Sequence, residues 1–120
     1  MRGILIWAIA LLAFAPAARA ATVIVNVGGA NSVFSPQTVT IDAGDKVTFV
    51  NKGGYHNAVA DDGSFRCAQG CDGDGQGGSG NASSKNWTAS VTCQAPGTVG
   101  YFCELHGSPC PGMFGTIVVR

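Results

Sequence analysis

Short runs of β-branched and apolar residues, separated by turn signals about every ten residues, fill the chain after residue 20. In the run 46–51, Val47 and Phe49 share one face and Lys46 and Thr48 share the other, which is the period of a half-buried strand. The pattern predicts an all-β fold, an antiparallel Greek-key β-sandwich in a single domain. The predicted strands are 22–27, 38–41, 46–51, 56–60, 87–93, 98–103 and 115–119.

The first twenty residues have a different composition. Arg2 is followed by an apolar run over residues 4–17 and by small residues at Ala18 and Ala20. This arrangement predicts a signal peptide over residues 1–20 and a mature domain over residues 21–120. The apolar run is short for a bilayer span, and we expect no membrane anchor. We therefore predict export to the periplasm, with secretion as the alternative.

The charge of the predicted mature chain excludes one class of partner. Without Arg2 and Arg19, five basic residues remain against seven acidic ones, so the net charge is about −2. A nucleic-acid-binding surface needs a basic patch, so we expect no nucleic-acid partner. We expect a monomer.

Residues 61–86 are polar and rich in glycine, above all over residues 72–80. Such a composition predicts an exposed, mobile surface loop. Its acidic side chains resemble a calcium loop only loosely, because they are few and no distal Glu follows. A plain loop is the preferred interpretation.

Both histidines of the chain, and the methionine that follows residue 20, lie in two short segments. His56 is in the first segment, and Cys103, His106 and Met113 are in the second. Two imidazoles, one thiolate and one thioether form a donor set that suits copper better than zinc, calcium or magnesium. We therefore predict one type 1 copper ion, cycling between Cu(I) and Cu(II), with these four residues as ligands. A lone Cys-x-x-His would be a weak signal, but four donors in this order are specific.

Several segments carry a resemblance to a known family, and they are 33–41, 44–51, 56–57, 101–106 and 113–119. Together they resemble the plastocyanin-like cupredoxins, which are type 1 blue copper proteins. The resemblance implies a β-sandwich of about eight strands with copper at one end, and electron transfer as the function. It places His56, Cys103, His106 and Met113 on the family's ligands. It also implies that Asn57 braces the two ligand loops.

The predicted function is that of an exported one-electron carrier between redox partner proteins, of the cytochrome or the copper oxidase or reductase type. Four protein ligands leave no open coordination position for a substrate, so we do not expect an enzyme. His106 is expected at the surface, among small and apolar residues. Two alternatives remain open at this point: a carrier that delivers or stores copper, and a structural module with a disulfide or zinc.

Five cysteines cannot all pair within one chain. With Cys103 on copper, the other four allow three pairings. Cys67 and Cys71 are four residues apart in one loop, and we predict a bridge between them. If 87–93 and 98–103 form a hairpin, Cys93 lies at its turn, far from Cys110 at the copper end. We therefore predict that Cys93 is reduced and buried.

Overall fold

The computed structural model describes Gly3 and residues 20–120, so the predicted signal peptide falls almost entirely outside the described residues. The described chain is all β. Its strands are β1 (Thr22–Gly28), β2 (Phe34–Ser35), β3 (Thr38–Ile41), β4 (Lys46–Gly53), β5 (Ala58–Ala60), β6 (Arg66–Ala68), β7 (Gly70–Cys71), β8 (Thr88–Thr92), β9 (Gly97–Gly107) and β10 (Gly112–Val119).

The ten strands form two sheets that pack face to face, as predicted. One sheet has the order β2-β1-β4-β8 and the other the order β3-β10-β9-β5-β6-β7. Most neighbours are antiparallel, but β1 and β4 are parallel, and so are β3 and β10. Between the two strands of each parallel pair, the chain crosses to the other sheet and back. Parallel neighbours need such a crossover, because a tight turn can join only antiparallel strands. The described part of the chain contains no helix that is long and apolar enough to cross a bilayer.

Alternation along the strands builds the core between the sheets. In β10, Met113, Ile117 and Val119 point inward, while their neighbours are half exposed. The β1 residues Val25 and Val27 meet them from the other sheet and are fully buried. Burial of such side chains contributes roughly 1.5–3 kcal/mol each, and it is the main force that closes the sandwich.

The prediction for residues 61–86 is wrong in part. Strands β6 and β7 lie inside this segment and extend the second sheet beyond β5. Cys67, Ala68 and Cys71 are buried, so the segment has anchors in the core. The glycine-rich part over residues 72–79 is largely exposed, as predicted. A polar sequence becomes ordered here because the half-cystines supply the apolar contacts.

The cysteine predictions are confirmed in their main points. Cys67 and Cys71 form a disulfide with Cα atoms 4.1 Å apart, and Cys93 is a free thiol. Cys93 is half-buried rather than buried, and burial raises the pKa of its thiol. Cys110 is free and exposed in the turn between β9 and β10. The amide of Cys93 donates to Asp45, just before β4, so the two thiols lie at opposite ends of the sandwich.

The predicted hairpin between 87–93 and 98–103 is wrong. β8 pairs with β4 in the first sheet, whereas β9 pairs with β10 and β5 in the second. The four residues between β8 and β9 therefore carry the chain from one layer to the other. A short connection of this length fits either a hairpin or a crossover, and packing of the strand faces selects the crossover.

Replacing Tyr101 by phenylalanine should stabilise the fold by about 1 kcal/mol, because it removes an unpaired polar group. Tyr101 is fully buried, its ring packs against Phe34 and Phe49 at 4.7 and 5.2 Å, and its hydroxyl has no partner among the described residues. Burial also raises the pKa of this phenol. Urea unfolding measures the change. Tyr55→Phe is the matched control, since Tyr55 is 53% exposed and should leave the midpoint unchanged. A lower midpoint for Tyr101→Phe would contradict the prediction.

Candidate metal centre

Two imidazoles and one thiolate converge at one end of the sandwich. His56 comes from the loop between β4 and β5, and Cys103 and His106 come from the end of β9. His56 Nδ1 and His106 Nδ1 are 3.2 Å apart, and Cys103 Sγ lies 3.8 Å from the first and 3.6 Å from the second. His56 and Cys103 are buried, whereas His106 is exposed. The structure therefore brings together residues 50 positions apart in the sequence.

The three separations fit a single metal ion. Imidazole nitrogen and thiolate sulfur bind a first-row divalent ion at about 2.0 and 2.3 Å, respectively. Three such ligands in one plane stand roughly 3.5–3.8 Å from one another, close to the observed separations. Nitrogen and sulfur donors of this kind bind copper or zinc rather than calcium or magnesium.

Met113 is buried on β10, the strand that pairs with the end of β9. Gly112 pairs with Gly107, and a side chain at Gly107 would come within 2.4 Å of the Met113 carbonyl oxygen. The glycine therefore lets the two strands approach closely beside the cluster. All four predicted ligands thus lie on the β4–β5 loop, the end of β9 and the start of β10.

The loop that carries His56 is held by the side chain of Asn51. Its amide nitrogen donates to the carbonyl oxygens of Gly54, Ser83 and Lys85 at 3.1, 3.3 and 2.9 Å. His56 in turn exchanges two main-chain hydrogen bonds with Ser83. Asn51 is 3% exposed, so its amide is a fixed internal support for the loop.

Glycines make room for the His56 ring. A Cβ atom at Gly28 or Gly54 would lie within 2.5 Å of His56 Nε2, and both residues have positive φ, at 67° and 93°. Burial lowers the pKa of His56, the facing His106 lowers it further, and a hydrogen bond with Gly53 opposes the shift. Burial therefore favours the neutral imidazole, which is the form that binds a metal.

Asn57 connects the two ligand segments, as the resemblance implied. It follows His56 in the chain, and its Oδ1 accepts the main-chain N–H of Glu104 at 3.0 Å. Its Nδ2 donates to the carbonyl of Gly80 at 2.9 Å and to the carboxylate of Glu104 at 3.1 Å. The Glu104 carboxylate also accepts a hydrogen bond from Arg66, which lowers the pKa of Glu104.

Sequence reasoning did not identify Arg66 or Glu104 as part of the site. A single arginine in a glycine-rich segment and a glutamate beside a ligand have no distinctive spacing. Their contact spans 38 residues of sequence and forms because β5 pairs with both β6 and β9 in the second sheet.

The surface around His106 is apolar, as predicted. Leu105 and Tyr55, next to the two ligands in the chain, are 54% and 53% exposed. Pro109 and Pro111 are exposed in the β9–β10 turn, and Phe114 is half-buried. The exposed His106 imidazole is therefore the part of the cluster that is accessible from this apolar surface.

A two-layer β-sandwich with a two-histidine, one-cysteine cluster at one end is the architecture of a class of metal-binding β-proteins. The model of the family described as copper binding proteins, plastocyanin/azurin family, matches residues 21–120, and the chain belongs to that family.

Individual proteins of known identity support this assignment. The chain is 36% identical to chloroplastic plastocyanin of Tetradesmus obliquus over 114 residues, which are 94% of this chain and 76% of the relative. Amicyanin from Paracoccus versutus superposes with a TM-score of 0.56 at 26% identity, over 82% of this chain and 81% of that chain. Oxidised plastocyanin from Dryopteris crassirhizoma has a TM-score of 0.60 at 24% identity, over 82% and 100% of the chains, and shows the common fold.

Proposed function

We propose that this protein is a one-electron carrier that holds a single type 1 copper ion on His56, Cys103, His106 and Met113. The observation that carries the proposal is the cluster of two imidazole nitrogens and one thiolate sulfur, all within 4.8 Å of one another. Membership of the copper-binding family supports copper as the metal. Met113 would complete the set with a thioether, a donor that favours copper over zinc.

The chain's own residues account for the properties that an electron carrier needs. Bound copper would supply the chemistry by alternating between Cu(II) and Cu(I). His56, Cys103 and Met113 are buried, so water is kept from three of the four proposed ligands. Asn51 and Asn57 hold the loops through hydrogen bonds to residues that are not proposed ligands. A site fixed in this way changes little between redox states, which lowers the cost of moving an electron.

We infer that the protein is not an enzyme, because four protein ligands leave no coordination position for a substrate. The exposed His106 and its apolar surroundings support a brief encounter with a redox protein, of the cytochrome or the copper oxidase or reductase type. Short-lived redox encounters use small interfaces. We further infer export through the signal peptide over residues 1–20, to the periplasm or the exterior.

The test of this function is addition of one equivalent of Cu(II) to the copper-free mature protein. An intense blue colour is expected, because a short bond from Cu(II) to thiolate gives strong visible charge transfer. The colour should disappear on one-electron reduction and return on oxidation. A pale product with the spectrum of ordinary tetragonal copper would contradict the proposal. Rapid loss of the metal to a chelator would favour copper delivery instead.

Asp45 provides a test of the predicted cleavage. Its carboxylate accepts the main-chain N–H groups of Asp42 and Ala21, each at 2.9 Å, and these bonds lower its pKa. Cleavage before Ala21 would replace the second donor with a charged ammonium group. Asp45→Asn should therefore destabilise the cleaved chain more than the uncleaved one.

The pH dependence of this effect follows from the lowered pKa of Asp45. The stabilisation is fully present above the unfolded value, about 3.9, and is lost as the pH falls through the lower folded value. Urea unfolding of both chain forms between pH 7 and pH 2 measures the difference. Equal losses in the two forms would contradict an ion pair at the new terminus.

A further inference from the structure

We propose that Arg66 and Glu104 are positioning residues for Cys103, acting through the Asn57 side chain that links the two ligand segments. The inference rests on the proposed copper site and adds to it a support that comes from the β6–β7 segment. We call Arg66, Glu104 and Asn57 the clamp.

Asn57 makes a full set of hydrogen bonds, which fixes its amide. It is completely buried, its oxygen accepts from the Glu104 main chain, and its nitrogen donates to Gly80 and to the Glu104 carboxylate. Both hydrogens of the nitrogen thus have acceptors, and the oxygen has a donor. The amide contacts Glu104 at two points, one on the main chain and one on the side chain.

The second contact depends on Arg66. The Glu104 side chain is 38% exposed, and without a partner it would exchange between rotamers in water. Arg66 Nε donates to the same carboxylate oxygen that accepts from Asn57. Arg66 Nη1 donates to Asp72 at 2.8 Å and to Asn81 at 2.9 Å. One guanidinium therefore spans three oxygen acceptors, a geometry that lysine does not reproduce.

The β6–β7 segment holds Arg66 in place. The Cys67–Cys71 disulfide joins the residue after Arg66 to the residue before Asp72. The Asp72 amide donates to the Arg66 carbonyl at 2.9 Å, and the Asp72 carboxylate accepts the Gly80 amide at 2.6 Å. Gly80 is thus bonded to both Asp72 and Asn57. The β6–β7 segment, which was predicted to be a mobile loop, is therefore linked to the clamp by a continuous set of hydrogen bonds.

The consequence for the metal centre comes from chain order. Glu104 directly follows Cys103, so a rotation of this peptide would move the Cys103 sulfur. A ligand set must be held to about 0.5 Å by side chains that are themselves fixed. The clamp secures the residue after the thiolate from its main chain and its side chain.

The experiment compares four variants of the full mature chain with the wild type. Arg66→Met keeps the apolar stem and removes the guanidinium, and Glu104→Ala removes the carboxylate. The double variant tests coupling, and Glu104→Gln keeps an acceptor for both partners. The control is Arg120→Met, which breaks another exposed ion pair, with Asp42 at 3.1 Å, at the opposite end of the sandwich.

Hydrogen exchange at the Glu104 amide is measured in the copper-free and Cu(I) forms. Several-fold faster exchange is expected in Arg66→Met and in Glu104→Ala, with no further increase in the double variant. Glu104→Gln should recover part of the protection. The amide of Thr116, bonded to Gln37 at 2.8 Å, should be unchanged, and Arg120→Met should resemble the wild type.

The Cu(II) form provides a second readout. Arg66→Met and Glu104→Ala should both change the ratio of the thiolate absorption bands and speed copper loss to a chelator several-fold. Unchanged exchange and unchanged bands would overturn the proposal, and so would equal acceleration at Thr116. If the only effect of the Arg66 and Glu104 variants were opposite shifts in reduction potential, the two residues would act on the copper only through their charges. That result would also overturn the proposal. A wild type that is not blue would refute the copper function, while the copper-free exchange would still test the clamp.

Discussion

Cys103→Ser should abolish the blue absorption and weaken copper binding more than about 100-fold. A serine hydroxyl stays protonated at neutral pH, so it supplies neither the anionic sulfur ligand nor the charge-transfer band. Even residues that only support a metal ligand change affinity by about 10–100-fold when they are replaced, and loss of the ligand should exceed that. The measurement is a copper titration followed by visible absorption and electron paramagnetic resonance.

The chain offers two matched controls for this variant. Cys93 and Cys110 are also free thiols, one at the opposite end of the sandwich and one exposed in the turn beside the site. Cys93→Ser and Cys110→Ser should keep the band and the affinity. Retention of the band in Cys103→Ser, or its loss in Cys110→Ser, would identify a different sulfur ligand. Circular dichroism of each copper-free variant checks that the β-sandwich is intact.

Leu105→Glu should slow electron self-exchange at least about tenfold at low ionic strength. In self-exchange two copies meet through the same surface, and the exposed His106 makes the surface beside Leu105 the shortest way in. The variant places a negative charge on both facing surfaces and removes an apolar contact from each. Like charges that face one another slow the encounter, and salt screens them. Line broadening in nuclear magnetic resonance spectra of mixed Cu(I) and Cu(II) protein measures the rate.

Ile24→Glu is the control for this prediction. Ile24 is 55% exposed on β1, and Leu105 is 54% exposed, so the two variants add the same charge at equal exposure. Self-exchange in Ile24→Glu should stay close to the wild-type rate. Added salt should recover the electrostatic part of the loss in Leu105→Glu, and the part due to the lost apolar contact should remain. Equal slowing by both variants would mean that net charge, rather than the surface at His106, controls the encounter.

The all-β class and the set of predicted ligands were readable from the sequence because both depend on local patterns. Val47 and Phe49 alternate with polar neighbours, and this period requires a strand with one buried face. Cys103, His106 and Met113 lie within eleven residues, and their donor chemistry indicates copper without knowledge of the fold. The Cys67–Cys71 pair was also predictable, since only four residues separate the two thiols.

The choice of strand partners was not predictable in the same way. β8 and β9 are separated by few residues, and that spacing is typical of a hairpin, yet the two strands lie in different sheets. The order β6-β7 at the edge of the second sheet likewise gave no signal, because the two strands are only three and two residues long and lie in a polar, glycine-rich segment. Partner choice depends on which faces become buried together, and that is a property of the closed sandwich.

The amino-acid sequence by itself determined the fold class, the donor set and the identity of the metal that suits it. The tertiary structure alone decided that His56 meets His106 at 3.2 Å across 50 residues. It also decided that Arg66, on β6, reaches Glu104 at the end of β9. Hydrogen bonds between side chains distant in sequence leave no periodic trace, because each needs only one donor and one acceptor placed by the packed strands.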